Sequence, residues 1–158
     1  MAARVAAELG IERLDGGAVF RGLAAERGLS LAEFGRAAQE DQGVDVELDA
    51  RLAARARAGD LVLESRLAGW IATNEGLVAL RVWVACDPDE RARRVAERDG
   101  LAIGAARAAN QVREASEAGR YRRYYGIDLA DLSIYDLVLD STTTSPDELV
   151  ATILRHQQ

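Results

Sequence analysis

The chain has 158 residues, 49% apolar and 5% aromatic, with a net charge of −6; that length fits one domain around one core, and the apolar share excludes disorder. The negative charge excludes a protein that lives on bulk DNA or RNA, although a local basic site for a small phosphate ligand stays open. A single cysteine, Cys86, excludes an internal disulfide; with no apolar run near the roughly 20 residues of a membrane span and no signal-peptide core, a cytoplasmic monomer free of membranes is expected.

Met1 to Leu9 reads as a helix. Val5 and Leu9 share one face and Gly10 fits the C-terminal cap. No capping residue precedes it, so the pattern begins in mid-helix. Ile11 to Leu14 is a predicted strand and Asp15-Gly16-Gly17 a turn. Ala18 to Arg27 is predicted helical, with Val19, Phe20 and Leu23 inward and Gly28 closing it. Ser30-Leu-Ala-Glu33 has the spacing of a capping box and opens a helix to about Glu40. Asp45 reads as the cap of another helix, which runs through Ala58.

Leu61 to Leu63 follows the turn pair Gly59-Asp60. It is short, apolar and bounded by turn residues, the pattern of a buried parallel strand. It delivers Glu64, Ser65 and Arg66 at its carboxyl end, where open α/β sheets hold their ligands. Leu67 to Thr73 is predicted helical and Val78 to Ala85 a strand. Asp87-Pro88-Asp89-Glu90 combines a cap, a proline at the first position and acids near the positive end of the helix dipole; that helix runs to Asp99. Ile103 to Tyr125 is a long, charged helical region with Gly119 as a candidate break. Leu137 to Asp140 is the last strand, and Ser145-Pro146-Asp147-Glu148 opens the terminal helix. Alternating strands and helices predict a parallel, three-layer α/β/α sheet of four strands.

Four clusters could carry chemistry. In Asp15-Gly-Gly-Ala-Val-Phe-Arg21, glycines after a strand let backbone approach a ligand, and Arg21 lies on the first turns of the next helix. A plain turn with a surface arginine competes with that reading. Arg66 follows the second strand. Arg113, Glu117 and Arg120 share one helix face, and guanidinium groups bind phosphate oxygens in bidentate fashion; an exposed, salt-bridged helix is the competing reading. Ser141, Thr142 and Thr143 follow the last strand, where hydroxyls commonly form turns. The only histidine, His156, lies near the terminus, so hydrolase triads and histidine-ligated zinc are poor fits. No spacing suggests a metal cluster.

The words Gly17 to Gly28, Ser30 to Phe34, Leu61 to Trp70, Arg113 to Tyr121, Tyr125 to Asp128, Asp131 to Asp136 and Leu139 to Thr143 span nearly the whole chain. Together they resemble cytidylate kinases of the short, archaeal-type branch. These are P-loop nucleoside monophosphate kinases that pass a phosphoryl group from ATP to CMP or dCMP. The resemblance implies one domain over residues 1–158, with a P-loop kinase-like parallel sheet. An NMP-binding segment would span about 18–58 and a lid about 100–126. It implies that Asp15 and Arg21 face the acceptor nucleotide, that Arg21 and Arg66 take its phosphate, and that Glu117 orients the acceptor or its neighbours. Arg113 and Arg120 would be catalytic lid arginines that neutralise the transferring phosphoryl group. Residues 41–49 would lie in the NMP-binding segment without assigned duties, and Ser65 stands where the family usually has glycine. ATP and Mg2+ are the implied cofactors, and CMP or dCMP and ATP the implied partners. Such a site works by positioning and charge neutralisation.

One departure is large. The family begins with a strand and a Gly-rich loop ending Gly-Lys-Ser/Thr, which holds the ATP phosphates and magnesium. No such word occurs here, and all 20 basic residues are arginine. Met1 falls where the family's first helix continues after that loop. In the family the first strand is central, so the strands at 11–14 and 61–63 are expected on one side of a missing strand and those at 78–85 and 137–140 on the other. Each buried backbone group left unpaired costs about 1–3 kcal/mol. Several of them rival the roughly 5–15 kcal/mol stability of a domain. The expectation is therefore a fragment of a working kinase whose start has been placed late, inactive as it stands. Two other readings compete: a non-catalytic nucleotide-binding remnant, and a structural or interaction protein whose sheet groove takes a partner's strand.

Overall fold

Helices alternate with four-residue strands along residues 1–157, which the computed structural model of the protein describes; Gln158 lies outside them. The order is α1 (Ala2–Leu9), β1 (Glu12–Asp15), α2 (Gly16–Glu26), α3 (Leu31–Glu40), α4 (Gln42–Ala58), β2 (Leu61–Glu64), α5 (Ala68–Asn74), β3 (Val82–Ala85), α6 (Pro88–Asp99), α7 (Ile103–Tyr125), β4 (Leu137–Asp140) and α8 (Pro146–His156).

All pairing is parallel. β1 lies beside β2 with Leu14 opposite Leu63, and β3 beside β4 with Val84 opposite Leu139. Side chains alternate across each strand. Leu61 and Leu63 pack with Leu14, Leu52 and Ile71 beneath α4 and α5. Val62 faces the other way, into a cluster with Val5 of α1 and Val150 and Ile153 of α8. The same cluster takes Val82, Leu137 and Leu139 from the second strand pair. One helical layer therefore underlies both pairs, which gives the predicted α/β/α layering. Among the described residues no strand joins the pairs, and they stand as separate two-stranded sheets. All four residues of β3 are only half-buried. This is the arrangement expected when the middle strand is not among these residues.

The helices between β1 and β2 build a small core of their own. Phe34, Leu23, Ala24, Ala38 and Val44 are buried together, and the rings of Phe20 and Phe34 lie 4.7 Å apart. The capping box of Ser30 and Glu33 forms at the start of α3, and Ser145 with Glu148 forms another at α8.

Four local expectations are corrected. Asp15 accepts hydrogen bonds from the N–H groups of Gly17 (2.8 Å) and Ala18 (3.2 Å), so the two glycines are the first turn of α2 and not a separate turn. The cap of α4 is Asp41, which accepts from Gly43 N–H at 2.7 Å; Asp45 sits inside the helix and points inward. The third strand starts at Val82, since β4 offers only four partners and Arg81 turns its N–H to the Asp136 carboxylate at 2.7 Å; Val78 is fully exposed. Finally, α7 is continuous through Gly119.

Candidate functional site

The carboxyl end of β2 hands the chain to Ser65 and Arg66. Gly16 makes room for this crossing: a Cβ there would come within 2.9 Å of Ser65 Cβ. A residue at 16 with any side chain would push the two strand ends apart. Beside the crossing runs α7, whose i, i+4 spacing puts Arg113 and Glu117 on one face.

Glu117 joins two of the other predicted residues. Its Oε2 accepts from Arg66 Nε at 2.8 Å and its Oε1 from Arg113 Nε at 2.7 Å. The glutamate is 7% exposed, so it holds both guanidinium groups from below. Each arginine bonds it through Nε alone; among the described residues the terminal nitrogens of both are open for other acceptors. The side chain of Arg113 is mostly exposed and that of Arg66 partly so. Two guanidinium groups fixed by one carboxylate at a strand's carboxyl end form a ready fork for phosphate oxygens.

Arg120, one turn further along α7, is buried instead. It is 8% exposed. Its Nε donates to Asp45 Oδ2 at 2.8 Å and its Nη1 to Ser116 Oγ at 3.1 Å, and its guanidinium lies over the ring of Tyr121. Asp45 is 2% exposed. Burial pushes its carboxyl upward against the hydrogen bond from Arg120, and the nearby charge of Glu117 adds to the rise. α7 is thereby locked to α4. Gln39 strengthens the contact from α3: its carbonyl accepts from Tyr124 Oη at 2.9 Å and Arg123 Nη2 at 2.7 Å. α7 thus rests on the helical segment between β1 and β2.

Asp15 and Arg21 lie at the carboxyl end of β1. Asp15 spends one oxygen on capping α2, and the other accepts from Arg13 at 3.1 Å. Arg21 stands 3.8 Å from the same carboxylate, mostly exposed. This pair is not bonded to the Glu117 cluster. Asp45 is the residue that the sequence reading missed. The available signal was its period: Asp45, Leu48 and Leu52 fall on one helix face, and Leu52 is fully buried.

The family model described as the cytidylate kinase-like family matches residues 1–143. The chain belongs to that family. A protein named cytidylate kinase from Halobacterium salinarum is 44% identical over 98% of this chain and 80% of its own length. One of the same name from Methanopyrus kandleri is 41% identical over 94% of this chain and 80% of its own. The crystal structure of an uncharacterized protein from Eubacterium ventriosum superposes with a TM-score of 0.68 at 14% identity, covering 98% of this chain and 88% of that one, a likeness of fold alone. The chain is thus a member of a nucleoside monophosphate kinase family with an α/β, P-loop kinase-like fold. No helix among the described residues is long and apolar enough to cross a membrane.

The family uses ATP and magnesium. The residues present here do not fit the donor's phosphates. The sequence holds no lysine and no Gly-Lys-Ser/Thr word, and among the described residues no cluster of three or more acidic, histidine or cysteine side chains could hold a metal.

Proposed function

We propose that these residues form the acceptor half and lid of a kinase that phosphorylates CMP or dCMP. The observation that carries the reading is the Glu117-centred fork. Arg66 and Arg113 are held at 2.8 and 2.7 Å by one buried carboxylate with their terminal nitrogens open, in a chain that belongs to the cytidylate kinase-like family. Arg66 takes the monophosphate of the acceptor. Arg21, on α2 across the strand ends, closes on the same group from the other side. Arg113 reaches the phosphoryl group in flight from its exposed place on the lid, and Glu117 holds both arginines in register. Residues 18–58 act as the NMP-binding segment and 100–126 as the lid. Arg120 acts from below, fixing the lid helix on Asp45. The work of these groups is to position and neutralise, which is most of what phosphoryl transfer asks of a protein.

On this reading the 158 residues bind the acceptor but do not transfer to it, because no residue among them cradles the donor. A second reading is favoured by the two separate two-stranded sheets, whose edges are unpaired among the described residues: a remnant that binds nucleotide without catalysis, or a module that adds a partner's strand. One experiment separates them. CMP phosphorylation by ATP is followed with the chain alone and with a version preceded by a β-strand and a Gly-rich, lysine-bearing loop. The kinase reading expects no turnover from the first and turnover from the second, abolished by Arg113→Ala. An inactive but folded extended protein would favour the remnant.

A further inference from the structure

Ser65 stands between Glu64 and Arg66 at the carboxyl end of β2, and its hydroxyl has no partner in the fold. A serine at a strand-to-helix junction ordinarily caps the helix or closes a turn. Here the cap position of α5 is Leu67, which makes no side-chain bond. The turn is closed by the Ser65 carbonyl, which accepts from Ala68 N–H at 3.3 Å. Ser65 Oγ bonds no other group among the described residues and is not among the atoms shielded from solvent.

Two glycines show where that hydroxyl sits. A Cβ on Gly16 would come within 2.9 Å of Ser65 Cβ and 3.0 Å of Ser65 Oγ, and a Cβ on Gly17 within 3.3 Å of Arg21 Nη1. Gly16 and Gly17 open α2, and consecutive Cα atoms are about 3.8 Å apart. The serine hydroxyl and the Arg21 guanidinium therefore lie over neighbouring positions of one helical turn. The residue after the serine is Arg66, held through Nε by Glu117 with its terminal nitrogens open. Asp15 is engaged elsewhere: Oδ1 accepts from Gly17 and Ala18, and Oδ2 from Arg13. We propose that Ser65 Oγ is a further donor to the phosphate of the acceptor nucleotide, set between Arg21 and Arg66.

The residue type suits that place. A phosphate monoester carries three terminal oxygens, and two arginines that approach from α2 and from the end of β2 leave room for a small donor between them. A hydroxyl turns its hydrogen toward whichever oxygen lies nearest, and a hydrogen bond to a charged oxygen is stronger than one to a neutral group. It also adds no charge. One of these oxygens must attack the incoming phosphoryl group, and a third cation would draw more electron density from it than a neutral donor does. Alanine at 65 would fill the same space against Gly16, so the hydroxyl is what serine adds.

This inference rests on the acceptor-half reading, and the test keeps the two apart. CMP is titrated calorimetrically into the wild-type chain, Ser65→Ala and Ser65→Gly, and cytidine, which lacks the phosphate, is titrated as a competitor of CMP. Thermal midpoints of the free proteins are read by circular dichroism. Ser65→Ala keeps the contact with Gly16 and loses only the hydroxyl, so its midpoint should stay within about 2 °C of the wild type. Its CMP affinity should fall about tenfold, with cytidine changed by less than about twofold. Ser65→Gly should match it toward both ligands. CMP binding within about twofold of the wild type in both variants would overturn the contact. So would an equal loss for CMP and cytidine, which would put the hydroxyl on another part of the nucleotide. A CMP loss accompanied in both variants by a midpoint drop above about 5 °C would assign the effect to packing and overturn it as well. In each of these cases the wild type still binds CMP and the acceptor half stands. If the wild type binds no CMP, the acceptor-half reading fails and the serine contact falls with it.

Discussion

Replacing Asp45 by alanine removes both hydrogen bonds that its carboxylate accepts from Arg120, at 2.8 and 3.4 Å. Arg120 keeps Ser116 Oγ and the face of Tyr121 and the nearby charge of Glu117, but stays 92% buried with no ion-pair partner of its own. Breaking one side of a buried ion pair costs about 3–5 kcal/mol. The two remaining contacts point to the lower end, about 3 kcal/mol. For a chain of this length each kcal/mol moves the thermal midpoint by about 2–4 °C, so Asp45→Ala should melt about 6–12 °C below the wild type. The penalty comes from the stranded charge. Asp45→Leu combined with Arg120→Met should therefore recover at least half of the loss, because an apolar pair of similar volume replaces a buried ion pair at little cost. Thermal denaturation followed by circular dichroism reads all three proteins. A drop under 2 °C in Asp45→Ala, or a double variant no more stable than the single one, would refute the claim that this pair locks α7 to α4.

Arg66→Ala should weaken CMP binding by about 10–100-fold, whereas Arg113→Ala should leave it within threefold and act on turnover in the loop-extended protein; calorimetry and a coupled assay read the two effects. Burial pushes the Asp49 carboxyl up to about 6, a shift opposite in sign to that of a salt-bridged acid. Between about pH 4 and pH 6 the folded chain keeps a proton on Asp49 that the unfolded chain has released, so this group's contribution to stability falls as pH rises through that window. Asp45 and Tyr125 face it, with Arg57 and Glu75 on the cavity that it lines. Midpoints of the wild type measured against those of Asp49→Asn should therefore decline from pH 4 to pH 6, and a difference that is flat or rises would be contrary to it. Gly69→Ala should cost about 1–3 kcal/mol, because its Cβ would come within 2.6 Å of Tyr135, which packs on Trp83. Gly119→Ala, in open space on α7, should instead stabilise by about 0.5–1 kcal/mol; urea midpoints compare the two.

Much of the fold was legible because local chemistry decided it. Ser30 with Glu33, Asp87 with Pro88, and Ser145 with Glu148 each start a helix where they stand, and the short apolar runs at 61–63 and 137–140 are strands. Local chemistry was ambiguous for α4. Asp41 and Asp45 are equally good caps by residue type, and the choice fell to Asp41 because Asp45 is drawn inward to Arg120, 75 residues away. The third strand was overdrawn for a related reason: apolar residues at 78 and 80 suggest a strand, but its length is set by β4, its partner. The i, i+4 pairing of Arg113 with Glu117 was readable from spacing. The arrival of Arg66 on the other oxygen of Glu117 depends on tertiary packing, which no spacing records. The resemblance to a known family supplied the split of the four strands into two pairs with no strand joining them among the described residues.

The division of labour in this chain is tested most directly by titrating CMP and magnesium ATP separately into the 158-residue protein and reading the heat of binding. The account predicts saturable binding of CMP, weakened about 10–100-fold in Arg66→Ala, and no saturable binding of magnesium ATP. Tight binding of ATP with none of CMP would contradict it.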